Sequence, residues 1–169
     1  MLSLDEAPRA TRTQPPPLNE GQREAVAQIV ATLGGFATTL LEGITGSGKT
    51  EVYLAAIEQA LARGEQVLVL VPEIGLTPQT LARFRERLAA PVLAWHSGLA
   101  DGPRARAFER ARGDAPLVVL GTRSAVFAPL PRLGLVVIDE EHDASFKQHE
   151  GFRYHARDVA LVRAKHGGI

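Results

Sequence analysis

The chain has 169 residues, 45% of them hydrophobic, with 19 basic against 19 acidic side chains and no cysteine. That is the size and apolar content of one ordinary domain with a core of its own. It excludes disulfides and cysteine-bound zinc within the chain, and leaves no net charge to draw the molecule as a whole toward nucleic acid or a membrane surface. No apolar run approaches the roughly 20 residues of a membrane span, and the opening MLSLDEAPRATR has no apolar segment like that of a secretory leader. The composition fits a cytoplasmic protein.

Residues 1–17 close on the run Pro15-Pro16-Pro17, which favours an extended polyproline II segment and reads as a linker. Residues 18–169 are the domain. In LNEGQREAVAQIVATLGG, the apolar residues Ala25, Val26, Ile29, Val30 and Leu33 recur at helical spacing. Asn19 is placed as its N-cap and Gly34 as its stop. FATTLLEG, 36–43, is apolar and rich in β-branched residues and predicts a strand. A helix follows from Lys49 to Arg63, ending at Gly64. QVLVLVP, 66–72, is apolar on both faces, as in a covered parallel sheet. TPQTLARFRERLA predicts a helix with Thr77 as N-cap and Pro78 in its first turn. PVLAWHS is a strand, GPRARAFERARG a helix, APLVVLGT and LGLVVIDE are strands, and HARDVALVRAKHGG is a last helix. Strands alternating with helices on short connections predict an α/β fold with a mostly parallel, doubly wound sheet. In such sheets ligands bind beyond the carboxyl ends of the strands.

The residues just after the strands are the informative ones. Gly43-Ile44-Thr45-Gly46-Ser47-Gly48-Lys49-Thr50 fits G-x-x-x-x-G-K-[ST], the phosphate-binding loop. Bare backbone lets the N–H groups wrap a triphosphate, and the next helix turns its positive end to the anion. Lys49 is placed to reach the β- and γ-phosphates, and Thr50 to offer an oxygen to Mg²⁺. LVVIDEEHD ends another apolar run. There Asp139 is the second expected Mg²⁺ partner, and Glu140 is placed to orient or deprotonate the attacking water. ASFKQHEGFRYHAR interleaves Phe146, Phe152 and Tyr154 with Lys147, Arg153 and Arg157. Aromatics stack on bases and cations meet phosphates, which suits single-stranded nucleic acid. The alternative is that Phe146 and Phe152 pack a long loop to the core.

Asp139-Glu140-Glu141-His142 is a D-E-x-H box. With LNEGQ, GITGSGKTEVY, VPEIGLTPQ, WHSGL, GTRSAVFAPL and DEEHDASFKQHEGFRYHARDVA, in that order, the chain resembles helicase superfamily 2 from about Leu18 onward. Within it, the chain is similar to the first motor lobe of the primosomal protein N′ (PriA) family of replication-restart helicases. The resemblance implies a RecA-like P-loop lobe that uses ATP and Mg²⁺. It implies that Gln22 reads adenine, that Thr77 and the helix behind it grip single-strand phosphates, and that Thr122, Arg123 and Ser124 do so from a second loop. For Thr77 a plain helix cap is the alternative, and for Arg123 a solvated charge. The resemblance also implies that His142 links hydrolysis to DNA movement, a plain ion pair being the alternative, and that the aromatic loop couples DNA binding to turnover.

The resemblance further implies a parent that is an ATP-dependent 3′-to-5′ DNA helicase, acting on single-stranded or forked DNA to restart stalled forks and begin primosome assembly. Its implied partners are primosome proteins and single-strand-binding protein, with no membrane. The departures from the family pattern are specific. No GSATPS-like third motif follows AKHGGI, so the sheet is expected to stop short of the strand that lies between the loop strand and the D-E-E-H strand. The arginine-bearing second lobe is absent, as is the cysteine-rich module where zinc is expected. Phe108 stands where tryptophan is expected. On its own the chain is expected to bind nucleotide weakly and turn it over negligibly. Competing readings are a RecG- or Mfd-type translocase lobe, a small-molecule P-loop kinase, and a nucleotide-binding module without turnover.

Overall fold

The structure is a computed structural model, and it describes residues 15–44 and 46–169. Thr45 and residues 1–14 of the expected linker lie outside the described residues. The fold is α/β. Its centre is a four-stranded, wholly parallel sheet of β1 (Gln66–Leu70), β2 (Val92–Trp95), β3 (Val118–Gly121) and β4 (Leu133–Ile138), in the order β2-β3-β1-β4. Among the described residues five α-helices surround it: α1 (Glu20–Thr32), α2 (Lys49–Ala62), α3 (Pro78–Arg87), α4 (Asp101–Ala111) and α5 (Ala156–Gly167). A two-stranded antiparallel hairpin, β5 (Lys147–Gln148) with β6 (Tyr154–His155), stands apart.

The apolar run 67–70 of β1 has the expected physical cause, since the strand is buried on both faces. Val67 and Val69 point into one core with Tyr53, Leu54 and Ile57 of α2 and with Phe84 of α3. Leu68 and Leu70 point into the other, with Val119, Val126, Phe146, Ala156 and Ala160. Helices therefore cover both faces, as the sequence predicts. Asn19 caps α1 by accepting from the Gln22 N–H, and Thr77 caps α3 by accepting from the Thr80 N–H, each at its predicted place. Phe108, where tryptophan is expected, packs its ring on Trp95, centroids 6.4 Å apart.

One element differs. Residues 36–43, expected as a strand, form no ladder. Phe36 is 46% exposed and Leu40 68%. A strand exists only by pairing, and among the described residues none pairs with the outer edge of β4 or with 36–43. An apolar, β-branched run states a preference for extended backbone; it does not supply the neighbour.

At the opposite end of the sheet Gln66 is fully buried. Its side-chain amide donates to the carbonyls of Ala111, Gly113 and Ala115, and its Oε1 accepts from the Arg132 N–H. One side chain thus closes the ends of α4 and of the loop before β4. Gln66→Leu keeps the volume and orphans these groups. The expected loss is about 2–4 kcal/mol, read as a drop of about 5–12 °C in melting temperature.

Candidate nucleotide and nucleic-acid site

The carboxyl ends of β1, β3 and β4 and the N-terminus of α2 open on one edge of the domain, and the predicted residues gather there. Gly46 and Gly48 have φ of +81° and +84°, a left-handed backbone that L side chains rarely adopt. They turn the loop so that α2 begins at Lys49, with no side chain capping its first turn. The uncapped N–H groups and the helix dipole favour an anion there. Lys49 Nζ donates to the Gly43 carbonyl at 2.5 Å, across the loop. The Ser47 N–H bonds the Ile44 carbonyl at 3.1 Å. Gln22 lies against this loop, with Nε2 donating to the Ser47 carbonyl at 3.1 Å and Oε1 accepting from the Asn19 N–H at 2.9 Å. Its amide is engaged within the chain at both ends, and it reads a base only by exchanging one of those bonds.

Asp139 leaves β4 with its N–H bonded to the Leu70 carbonyl at 2.9 Å. The Tyr53 hydroxyl lies between the two halves of the site, 3.2 Å from Thr50 Oγ1 and 3.4 Å from Asp139 Oδ2. The sequence reading missed Tyr53. Its signal was position: three residues after Thr50, it shares that residue's helix face. Burial pushes its phenol up to about 12, so it stays protonated and a donor. Burial, and then the charge of Glu140, hold Asp139 above the usual carboxylate range. Hard oxygens on Thr50 and Asp139, one of them a carboxylate lacking a full counter-charge, suit Mg²⁺ carried in with a nucleotide. Among the described residues no group of three acidic or histidine side chains forms a metal site without a ligand.

The sign of the Asp139 shift gives a prediction. A carboxyl whose folded pKa is raised costs stability once ionised. Asp139→Asn is therefore expected to raise the melting temperature at pH 7–8 above that of the wild type. The gain disappears as pH falls through the raised pKa, where the wild-type carboxyl is itself neutral. Melts of both proteins at pH 8 and pH 4 check this.

Glu140 has φ of +48°, the one non-glycine residue with positive φ among the described residues. Backbone held in this region is costly and concentrates at functional sites. The turn exposes Glu140 and sets Oε2 3.6 Å from His142 Nε2. The third carboxylate of the box, Glu141, is instead spent on structure, since Arg157 of α5 pairs with it at 2.8 Å.

The expected nucleic-acid contacts divide. Thr77 is spent on the cap of α3. Thr122 is buried, its N–H bonded to the Trp95 carbonyl, so its side chain is not offered to a phosphate. Ser124 is half-buried in the 3-10 turn Arg123–Phe127. Gly121 allows this turn to fold tightly: an added Cβ would lie 2.5 Å from Ala125 Cβ and 2.9 Å from Trp95 Cβ. Arg123 does not project freely, because its guanidinium is bonded to the carbonyls of Ser145 and Lys147. Phe146 is fully buried among core residues, so the packing alternative describes it and no base can stack on it. Phe152 is 78% exposed and Lys147 and Arg153 are exposed, with Tyr154 half-buried beside them. Lys147, Gln148, His149, Arg153, Tyr154 and His155 line one open cleft on the hairpin. Phe127, which the sequence reading passed over, is half-exposed and edge-on to Tyr154 at 5.0 Å.

Comparison with known proteins agrees with this layout. Residues 19–166 match the family model described as DEAD/DEAH box helicase. The chain is 51% identical over 148 residues to the replication restart protein PriA of Haemophilus influenzae, which covers 88% of the chain and 20% of that protein. It is 47% identical over 157 residues to PriA of Bacillus subtilis, covering 92% and 20%, and 48% identical over 165 residues to PriA of Synechocystis, covering 97% and 20%. The chain thus spans about one fifth of the length of the curated relatives it matches. With the phosphate loop, the acidic strand end and the Tyr53 hydroxyl joining them on one RecA-like sheet edge, the chain belongs to the DEAD/DEAH box helicase family.

Proposed function

We propose that residues 18–169 form the first motor lobe of a replication-restart helicase, carrying the ATP half-site and part of the face that grips DNA. The observation that supports this reading is the approach of Thr50 Oγ1 and Asp139 Oδ2 to one hydroxyl, that of Tyr53, at 3.2 and 3.4 Å. Lys49 neutralises the β- and γ-phosphates. Thr50 and Asp139 hold the hydrated Mg²⁺. Glu140, on its exposed turn, orients the attacking water, and His142 passes the state of the site toward the aromatic hairpin. Gln22 exchanges its bond to Ser47 for the adenine edge. Phosphoryl transfer of this kind depends on positioning and charge neutralisation. An arginine from a second lobe would complete the transition-state charge, worth roughly 10³–10⁵ in rate by analogy with GTPases. The chain alone therefore binds nucleotide weakly and turns it over negligibly.

The whole protein, in this reading, moves 3′-to-5′ on single-stranded or forked DNA, and meets primosome proteins and single-strand-binding protein. The similarity to proteins described as replication restart proteins supports it. The test is unwinding of a forked duplex by the full-length protein with ATP and Mg²⁺. Duplexes with a 3′ tail are expected to open and those with only a 5′ tail are not, and Lys49→Ala is expected to abolish opening. ATP-driven movement without strand separation would favour a RecG- or Mfd-type translocase. Robust DNA-stimulated hydrolysis by the 169-residue chain alone would overturn the half-site reading.

A further inference from the structure

We propose that Arg123 is a positioning residue that pins the aromatic hairpin 147–155 to the loops ahead of it, and that Phe127 extends the hairpin's stacking platform for single-stranded nucleic acid. The inference deepens the nucleic-acid reading above and rests on it. Three segments that are distant in sequence meet at one guanidinium. Arg123 Nη1 donates to the Ser145 carbonyl at 3.1 Å and to the Lys147 carbonyl at 3.0 Å. Nη2 lies 3.8 Å from Glu73 Oε1, in the turn after β1. A further bond ties the same parts, with the Glu73 N–H donating to Ser145 Oγ at 3.4 Å. The Arg123 side chain is 26% exposed, directed at these carbonyls rather than at solvent. A planar fork spans such acceptors, whereas an ammonium is a point charge that does not.

The hairpin needs such a pin. Its strands are two residues each, and an isolated two-stranded ribbon is marginal in water. Phe146 at its root and Tyr154 on its second strand pack on the core, but its two short strands pair with no strand of the main sheet. The same 3-10 turn that carries Arg123 ends on Phe127, whose ring meets Tyr154 edge-on at 5.0 Å; Tyr154 in turn lies 6.1 Å from Phe152. Phe127, Tyr154 and Phe152 therefore form a continuous run of rings, two of them well exposed, with Lys147 and Arg153 alongside. The exposed rings of Phe127 and Phe152 offer faces to bases, with Tyr154 joining them, and each cation offers a charge to the backbone, the make-up of a sequence-tolerant single-strand platform. Arg123 acts on this platform through the backbone it holds and needs no contact with the nucleic acid.

The test compares wild type, Arg123→Ala and Arg123→Lys by amide hydrogen exchange without DNA, with the amides of β1 and β3 as the control for folding. Binding of a fluorescent oligo-dT is then measured across a range of salt, with Phe127→Ala added. Both Arg123 variants are expected to lose hairpin protection by about tenfold or more while β1 and β3 stay protected, and to bind oligo-dT more weakly with an unchanged salt slope. Phe127→Ala is expected to weaken binding with the slope also unchanged. Unaltered hairpin protection in both Arg123 variants overturns the pin. A salt slope reduced by about one in Arg123→Ala and restored in Arg123→Lys, with the hairpin still protected, would make Arg123 a phosphate ligand instead. Failure of the wild type to bind oligo-dT overturns the platform and the reading beneath it, while the exchange result still decides the pin.

Discussion

Phe146→Ala is expected to destabilise the protein by about 3–5 kcal/mol, lowering the melting temperature by roughly 10 °C or more. Phe146 is 0% exposed and packs with Leu68, Val119, Val126, Ala156 and Ala160. Truncation leaves a cavity that the strands on one side and α5 on the other cannot both move to fill. Phe152→Ala, six residues on, is expected to change stability by no more than about 0.5 kcal/mol, because that ring is 78% exposed. Its cost falls on oligonucleotide binding, about 1–3 kcal/mol if one base stacks on it. Thermal melts and an oligo-dT titration of the two variants separate core from platform. Equal melting temperatures for Phe146→Ala and wild type would show that the buried position is wrongly assigned.

Lys49→Ala is expected to weaken binding of a fluorescent ATP analogue with Mg²⁺ by about 10–100-fold, the size of a lost charge-assisted contact to phosphate. The melting curve is expected to shift little, since among the described residues Lys49 Nζ hydrogen-bonds only the Gly43 carbonyl and its charge acts on Asp139 from a distance. Saturable binding by the wild type that is lost in the variant would mean that the loop is built as drawn. Absence of binding by both would mean that the loop takes its working shape only when 36–43 is held against a sheet.

Much of this was legible in the sequence, for reasons that can be stated residue by residue. QVLVLVP announced a doubly covered strand because the unbroken apolar run from Val67 leaves no face for solvent, and β1 is buried throughout, with Gln66 at its start buried only because its amide is hydrogen-bonded. Asn19 and Thr77 announced helix starts because their side chains accept from the N–H three residues on. Local chemistry fixes these features. What sequence reading could not see was relational. FATTLLEG looks like a strand, yet among the described residues it has no neighbour to pair with. Phe146 and Phe152 look alike in a list of aromatics, yet one lies beneath the hairpin and the other at its tip. Arg123 has the composition of a phosphate contact, but its donors are directed at carbonyls 22 and 24 residues later in the chain. Tyr53 was invisible because its importance comes from Asp139, 86 residues away.

The outer edge of β4, unpaired among the described residues, has a thermodynamic consequence. Its free N–H and C=O groups are a template for any extended segment, and Phe36, Leu40 and Ile44 stand exposed on the stretch that leads into the phosphate loop. Whatever adds to that edge and gives 36–43 a place to pair would also order the loop. By linkage, a nucleotide that orders the loop must strengthen that addition by the same factor. Nucleotide affinity in this fold is thus a reporter of what lies along β4: the same loop residues can be weak or tight according to a strand that never touches the phosphate.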